Sequence, residues 1–281
     1  MFKTYMHLTK PGIIAGNLIT TIGGFALASH GVINYPLFLI TLVGLALVIA
    51  SACVWNNFLD RKIDARMKRT QNRPLVQGTI SVRNARRFAS ILGLAGAILL
   101  AVYTPWITFV VACFGFCIYT LVYSFWKKNS RYATFVGSLA GAVPIVVGYS
   151  AAKGSLDLCA FLLFLLMILW QMPHFFSIAL YRLNDYTAAA LPVLPVVRGA
   201  SATKVRILVY VIAFACTVPW LAFLGYAGPV YLVGMSALGL GWLALSLRGF
   251  KKNVSDAKWA RTMFMFSLVV ILAQSACISL G

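Results

Sequence analysis

Apolar residues occupy this chain in long blocks, and the short segments between the blocks hold almost all of its charge. A helix crosses the hydrocarbon core of a bilayer with about 20 consecutive apolar residues. Cutting the sequence at its charge clusters and Gly/Pro turns predicts nine such spans, at 13–29, 37–59, 88–104, 106–126, 133–151, 158–180, 207–224, 230–247 and 262–280. Only Thr104-Pro105 separates the third span from the fourth, so that stretch also reads as one long helix broken at the proline.

Composition strengthens the membrane reading. Of 281 residues, 61% are apolar and only 10% charged, against roughly 25% charged in soluble domains, and the mean hydropathy is +0.89. An ordinary soluble domain is excluded, and the fold class expected is all-α: a polytopic helical bundle lodged in a lipid bilayer. We read residues 1–281 as a single domain, since no linker or low-complexity segment interrupts them.

Charge then sets the topology. There are 24 Lys and Arg against five acids, all of them Asp, for a net charge of +19. In a soluble protein that balance would suggest nucleic acid. Here the basic residues sit between apolar blocks, so no nucleic acid is expected and the excess reads as membrane topology plus an anionic substrate. With the N-terminus placed in the cytoplasm, 23 of the 24 basic residues fall on the cytoplasmic side and Lys153 alone lies outside, a strong positive-inside bias. Nine spans then put the C-terminus outside, and the chemistry faces the cytoplasm. Met1 to Lys10 is short and polar, without a cleavage site or an Arg/Ser-rich presequence, which favours a bacterial plasma (inner) membrane. Two cytoplasmic segments, approximately 60–87 and 181–206, are longer than a connection requires, and such loops in compact proteins are usually functional.

The six cysteines lie almost wholly within apolar blocks, without a C-x-x-C pair or a nearby His cluster, and read as packing residues. More informative is Asn56-Asn57-Phe58-Leu59-Asp60-Arg61-Lys62-Ile63-Asp64. At 100° per residue Asn56, Asn57, Asp60 and Asp64 share about 100° of arc on one helix face. Carboxylates one turn apart repel unless a cation lies between them, and hard oxygen ligands with room left for phosphate oxygens describe a Mg²⁺ site. A solvated helix end, with the acids paired to Arg61 or Lys62, is the plainer alternative. Arg69 and Arg73 follow in the run Arg66 to Pro74, and guanidiniums grip phosphate bidentately. Carboxylates for metal followed by arginines for phosphate make a diphosphate site.

Further along, Trp170-Gln171-Met172-Pro173-His174 leads into Tyr181-Arg182-Leu183-Asn184-Asp185-Tyr186. On a continuous helix His174, Tyr181 and Asp185 lie within about 40° of one another, with Gln171 beside them. Polar groups at membrane depth usually face a cavity or the bundle interior, so His174 is a candidate general base, haem contact or cation stabiliser. Tyr123 and Lys127 stand one turn apart at the end of the fourth span, either reaching a phosphate or forming an ordinary interfacial pair. Asn17 in the first span is one more polar residue that can face a cavity. A transporter suits polar residues and a proline within a span, but the ionisable groups cluster at one face instead of lining a path through.

Taken together, the N-x-x-x-D-x-x-x-D pattern of Asn56, Asp60 and Asp64, the R-T-x-x-R-P run from Arg69 to Pro74 and the Tyr123/Lys127 pair resemble the UbiA superfamily of intramembrane prenyltransferases. Leu8-Thr9-Lys10-Pro11-Gly12, the Trp170 to His174 run, the Arg182 to Tyr186 run and Leu191-Pro192-Val193-Leu194-Pro195 resemble its haem-farnesylating branch. The resemblance covers nearly the whole chain. It implies a central cavity opening to the cytoplasm, farnesyl diphosphate and haem b as substrates and Mg²⁺ as cofactor. It further implies metal held by Asn56, Asp60, Asp64 and Asp185, and diphosphate held by Arg69, Arg73, Tyr123, Lys127 and Arg182. Asp60, Asp64, Asp185 and His174 would be catalytic, with Asn17, Asn57, Gln171 and Tyr181 at the acceptor or in the cavity. Two positions depart from the superfamily pattern: Asn57 stands where Asp is frequent, and Ala189 ends the second motif, leaving fewer carboxylates there. Another aromatic or tetrapyrrole acceptor is the competing enzymatic reading, and association with a terminal oxidase or haem-pathway proteins is left open.

Overall fold

A computed structural model describes residues 2–279, all of whose regular elements are helices. Nine are long and apolar enough to cross a membrane among the described residues: Pro11–Ser29, Tyr35–Asp64, Val82–Tyr103, Trp106–Trp126, Ala133–Lys153, Leu158–Tyr181, Leu194–Phe223, Pro229–Arg248 and Asp256–Ser279. In order, α1 is Phe2–Thr9, α2 Pro11–Ser29, α3 Tyr35–Asp64, α4 Val82–Tyr103, α5 Trp106–Cys117, α6 Ser124–Trp126, α7 Ala133–Lys153, α8 Leu158–Tyr181, α9 Leu183–Ala188, α10 Leu194–Phe223, α11 Pro229–Arg248 and α12 Asp256–Ser279. The Thr104-Pro105 junction separates two spans, with Thr104 extended at φ −122° and its hydroxyl bonded back to Leu100 O at 2.6 Å.

Apolar side chains face both inward and outward, as lipid solvation requires. Phe214, Tyr231 and Trp242 are fully enclosed, whereas Val233, Leu94 and Leu240 are each exposed by 64% or more. Between helices the contacts rely on small residues. A Cβ on Gly148 of α7 would stand 2.0 Å from Thr21 O, and one on Gly24 of α2 would stand 2.1 Å from Ile145 O. Only glycine lets these two backbones approach so closely, the usual device where lipid offers no hydrophobic drive between helices.

Several expected boundaries move, for one reason: charge ends a membrane span but does not end a helix. α3 continues beyond residue 59 to Asp64, so Asp60 and Asp64 are helical. α4 begins at Val82, where the Ser81 side chain caps Asn84 N. The first long loop therefore contracts to a run of turns over 65–81, and the second contains α9 and the start of α10. α10 begins at Leu194, well before the expected 207, and bends at Gly199, whose φ of 77° lies in the region glycine favours. One expectation fails outright. His174, Tyr181 and Asp185 do not share a continuous helix, because Arg182 (φ −109°, ψ 29°) interrupts it between α8 and α9.

Candidate active site

Helices α2, α3, α5, α7, α8 and α12 enclose a cavity of about 580 Å³. Its depth is apolar, lined by Leu45, Val48, Phe116 and Met167, and Leu45 lies about 22 Å along α3 from Asp60 by helical rise. Its mouth is polar. Asn56, Asp60 and Asp64 each line it, one turn apart, and each holds a different basic group. Lys10 Nζ donates to Asn56 Oδ1 at 2.7 Å, Lys127 pairs with Asp60, and Arg73 Nη1 donates to Asp64 Oδ2 at 2.7 Å. The result is a ladder of three oxygen-bearing side chains met by three cations from three other parts of the chain.

Local structure explains how each group arrives. Asp64 ends α3, and the Thr70 hydroxyl donates to its carbonyl at 2.9 Å, folding the following turn so that Arg73 returns over its carboxylate. Lys127 follows a π-helical segment, Ile118–Tyr123, that interrupts the fourth span. Such wide turns recur at functional sites. Here the segment keeps Tyr119 and Tyr123 stacked at 5.6 Å, both lining the cavity, with Lys127 Nζ 5.2 Å from the Tyr123 ring centre. Lys10 occupies the one-residue joint between α1 and α2 in a left-handed conformation, φ 54°, which is costly for a residue with a Cβ.

Electrostatics at the mouth are unusual for lysines. Burial lowers the Lys127 amine below its ordinary value despite the Asp60 carboxylate beside it, and burial presses Lys10 down to about 8. Asp60 is 7% exposed, and among the described residues its Oδ1 has no hydrogen-bond partner; nor has Asn56 Nδ2. A buried carboxylate oxygen without a donor carries a desolvation cost that a bound cation would remove. Hard oxygens spaced by one helical turn, all facing one cavity, with one oxygen free, suit Mg²⁺.

Other sequence candidates divide. Arg69, Arg73, Tyr123, Lys127, Asn17, Gln171 and His174 all line the cavity. Gln171 Nε2 donates to Ser138 O at 3.3 Å and fills the space left by Gly141, where a Cβ would stand 2.1 Å from its Oε1. Asn17 Nδ2 turns back to Ile13 O at 2.8 Å. Asn57 does not line the cavity; its amide donates to Leu8 O at 2.8 Å and ties α1 against α3. Tyr181, Arg182 and Asp185 also lie outside the lining, although the neighbouring Tyr186 is part of it. Arg182 and Arg261 both approach the Tyr181 ring, at 4.6 and 5.8 Å. Among the described residues Asp185 forms no cluster of three metal-ligating acids, histidines or cysteines with Asp60 and Asp64. Reading the residues for chemistry left out Lys10, Tyr119 and Ser267. Lys10 had a signal, a lone Lys at the Pro-Gly start of a span. Tyr119 and Ser267 had none.

Fold and site define a class: a multi-pass α-helical membrane protein whose cavity is apolar in its depth and lined at its mouth by paired acids and bases. The chain belongs to the UbiA prenyltransferase family, which matches residues 17–268; it is an enzyme of the intramembrane prenyltransferase type. It is 52% identical over 278 residues, 99% of this chain and 98% of the relative, to "Protoheme IX farnesyltransferase" of Protochlamydia amoebophila (strain UWE25). It is 50% identical over 280 residues, 99% of this chain and 94% of the relative, to the protein of the same name from Yersinia enterocolitica. Among solved structures, one described as "Structural and mechanistic insights into the biosynthesis of Digeranylgeranylglyceryl phosphate synthase in membranes" superposes with a TM-score of 0.82 at 20% identity, covering 100% of this chain and 99% of that one. A UbiA homolog from Archaeoglobus fulgidus bound to GPP and Mg2+ gives 0.66 at 18% identity, covering 98% and 99%. At such identities these structures speak for the fold.

Proposed function

We propose that this chain transfers the farnesyl group of farnesyl diphosphate to a vinyl group of protoheme IX (haem b), with addition of water, giving haem O and diphosphate. The observation that carries the proposal is the ladder of Asn56, Asp60 and Asp64, held by Lys10, Lys127 and Arg73 at the mouth of an apolar cavity. The names of relatives about half identical over nearly the full chain supply the acceptor.

Asn56, Asp60 and Asp64 would hold Mg²⁺, which neutralises charge on the diphosphate leaving group. Asp185, next to the cavity-lining Tyr186, is the remaining acidic candidate, and Arg182 the remaining guanidinium. Arg69 and Arg73 bind phosphate oxygens as bidentate donors, and Lys127 and Tyr123, which line the same cavity, add further donors. These fixed donors stabilise the charge that builds on diphosphate as the C1–O bond breaks. The apolar walls hold the isoprenoid tail and keep bulk water from the allylic cation. The terminal carbon of the haem vinyl group then bonds to C1. Water adds to the adjacent carbon and releases a proton.

The positive-inside distribution supports a bacterial plasma membrane with the mouth facing the cytoplasm. The test is purified protein in detergent with haem b, farnesyl diphosphate and Mg²⁺, followed by mass analysis of the haem. A product heavier by one farnesyl group and one hydroxyl group, lost with EDTA, is expected. Unchanged haem, with the diphosphate consumed by another acceptor, would overturn the haem assignment.

A further inference from the structure

His174 sits on α8 seven residues before its end, about 10 Å into the bundle. It lines the same cavity as the ladder. Its ring is held on three sides: stacked on Trp170 at 4.9 Å, tilted against Phe264 at 5.1 Å, and with Nδ1 2.7 Å from Ser267 Oγ of α12. The Ser267 hydroxyl has one proton, and it donates that proton to Phe264 O at 2.6 Å. Towards His174 it therefore acts as acceptor, so the imidazole proton is on Nδ1. Nε2 is left with its lone pair, and no protein group bonds to it among the described residues. Trp170 Nε1 donates to Ser267 O at 2.8 Å, so the residue that stacks on the imidazole also anchors the serine that fixes its tautomer.

A cavity-lining imidazole whose Nδ1–H is committed to an oxygen and whose Nε2 has no protein partner among the described residues has the arrangement of a metal-ligating histidine with its outer support in place. Among the described residues no acid pairs with it to make it a charged base. Gly12 and Gly16 of α2 line the same cavity, and a Cβ on either would meet nothing within 4 Å.

We infer that His174 Nε2 is the axial ligand of the haem iron, with Ser267 as the positioning residue that sets its tautomer. The inference rests on the haem reading above and deepens it. Ligation fixes the macrocycle inside the bundle, so that a vinyl edge is offered to C1 of the prenyl diphosphate while the propionates remain free for the basic mouth. No bond to carbon is made or broken by His174. Its part is to position the acceptor.

The chain has only two other histidines, His7 and His30, so the iron's partner is readily assigned. Full-length protein in detergent is loaded with haem b without the prenyl donor, reduced with dithionite, and studied by resonance Raman. The wild type is expected to show an iron–imidazole stretch. His174→Ala loses it entirely and regains an iron–imidazole line when free imidazole is added, whereas His7→Ala and His30→Ala keep it. Ser267→Ala leaves haem bound but lowers the stretching frequency, because Nδ1–H loses its acceptor. A merely structural role for either residue would not produce that shift. Haem bound by the wild type without an iron–imidazole line, or with a thiolate signature from cavity-lining Cys53, overturns the ligation while the haem reading stands. Failure of the wild type to take up haem, with prenyl transfer to another acceptor, overturns both.

Discussion

Lys127→Met removes one member of the pair that neutralises Asp60 and leaves the other in place. The two side chains are 11% and 9% exposed, and Asp60 Oδ1 has no partner among the described residues, so the variant strands a carboxylate with neither oxygen satisfied. At about 4 Å between charge centres and an effective dielectric near 20, the lost attraction is about 4 kcal/mol. Truncating one partner of a buried pair costs about 3–5 kcal/mol, chiefly through the charge left behind. Because the pair faces a cavity that admits water, we expect about 3 kcal/mol for Lys127→Met. Adding Asp60→Asn removes the stranded charge, so the double variant should be about 2 kcal/mol more stable than Lys127→Met alone. The assay is reversible unfolding of the metal-free protein in mixed detergent micelles, run as a double-mutant cycle. Activity is lost in every variant, so stability and catalysis part company. A Lys127→Met protein as stable as the wild type, or a double variant no more stable than the single, would refute the reasoning that this contact is a buried, mutually dependent ion pair.

Three further outcomes follow from the same geometry. Asp60→Asn and Asp64→Asn should each lower kcat at least ~100-fold, the scale of losing a principal electrostatic stabiliser. Asp185→Asn, whose side chain is outside the cavity lining, should lower it less, which a Mg²⁺ titration of the three variants tests. Gly148→Ala drives a methyl group to 2.0 Å from Thr21 O and should cost about 3 kcal/mol, at the upper end of overpacking, since backbone and not a flexible side chain must move; unfolding in detergent micelles measures it. The Lys10 amine is held at about 8 by burial, against 10.5 for an unperturbed lysine. Between these values the unfolded chain binds a proton that the folded chain does not, so stability of the metal-free protein should rise with pH across that window. Below about 8 both states are protonated and the full burial cost is present. Lys10→Met should flatten the rise when unfolding midpoints are compared from pH 7.5 to 10.5.

Hydrophobic blocks and charge placement determined most of the architecture by themselves. Nine helices among the described residues are long and apolar enough to cross a bilayer, where a helix satisfies its own backbone hydrogen bonds, and block length cut at charge clusters and Gly/Pro turns predicts that number. The face shared by Asn56, Asp60 and Asp64 was equally legible, because residues one turn apart on a helix must look the same way. The same reasoning placed Asn57 with them, and tertiary structure turned its amide to Leu8 instead. It also aligned Asp185 with His174 on a helix that Arg182 interrupts. What only the folded chain decided is what each face meets. Lys10 reaches Asn56 across 46 residues, Lys127 reaches Asp60 across 67, and His174 reaches Ser267 across 93. Periodicity describes the surface one helix presents. The partner on that surface depends on how helices distant in sequence cross, which glycines such as Gly24 and Gly148 set by letting backbones touch.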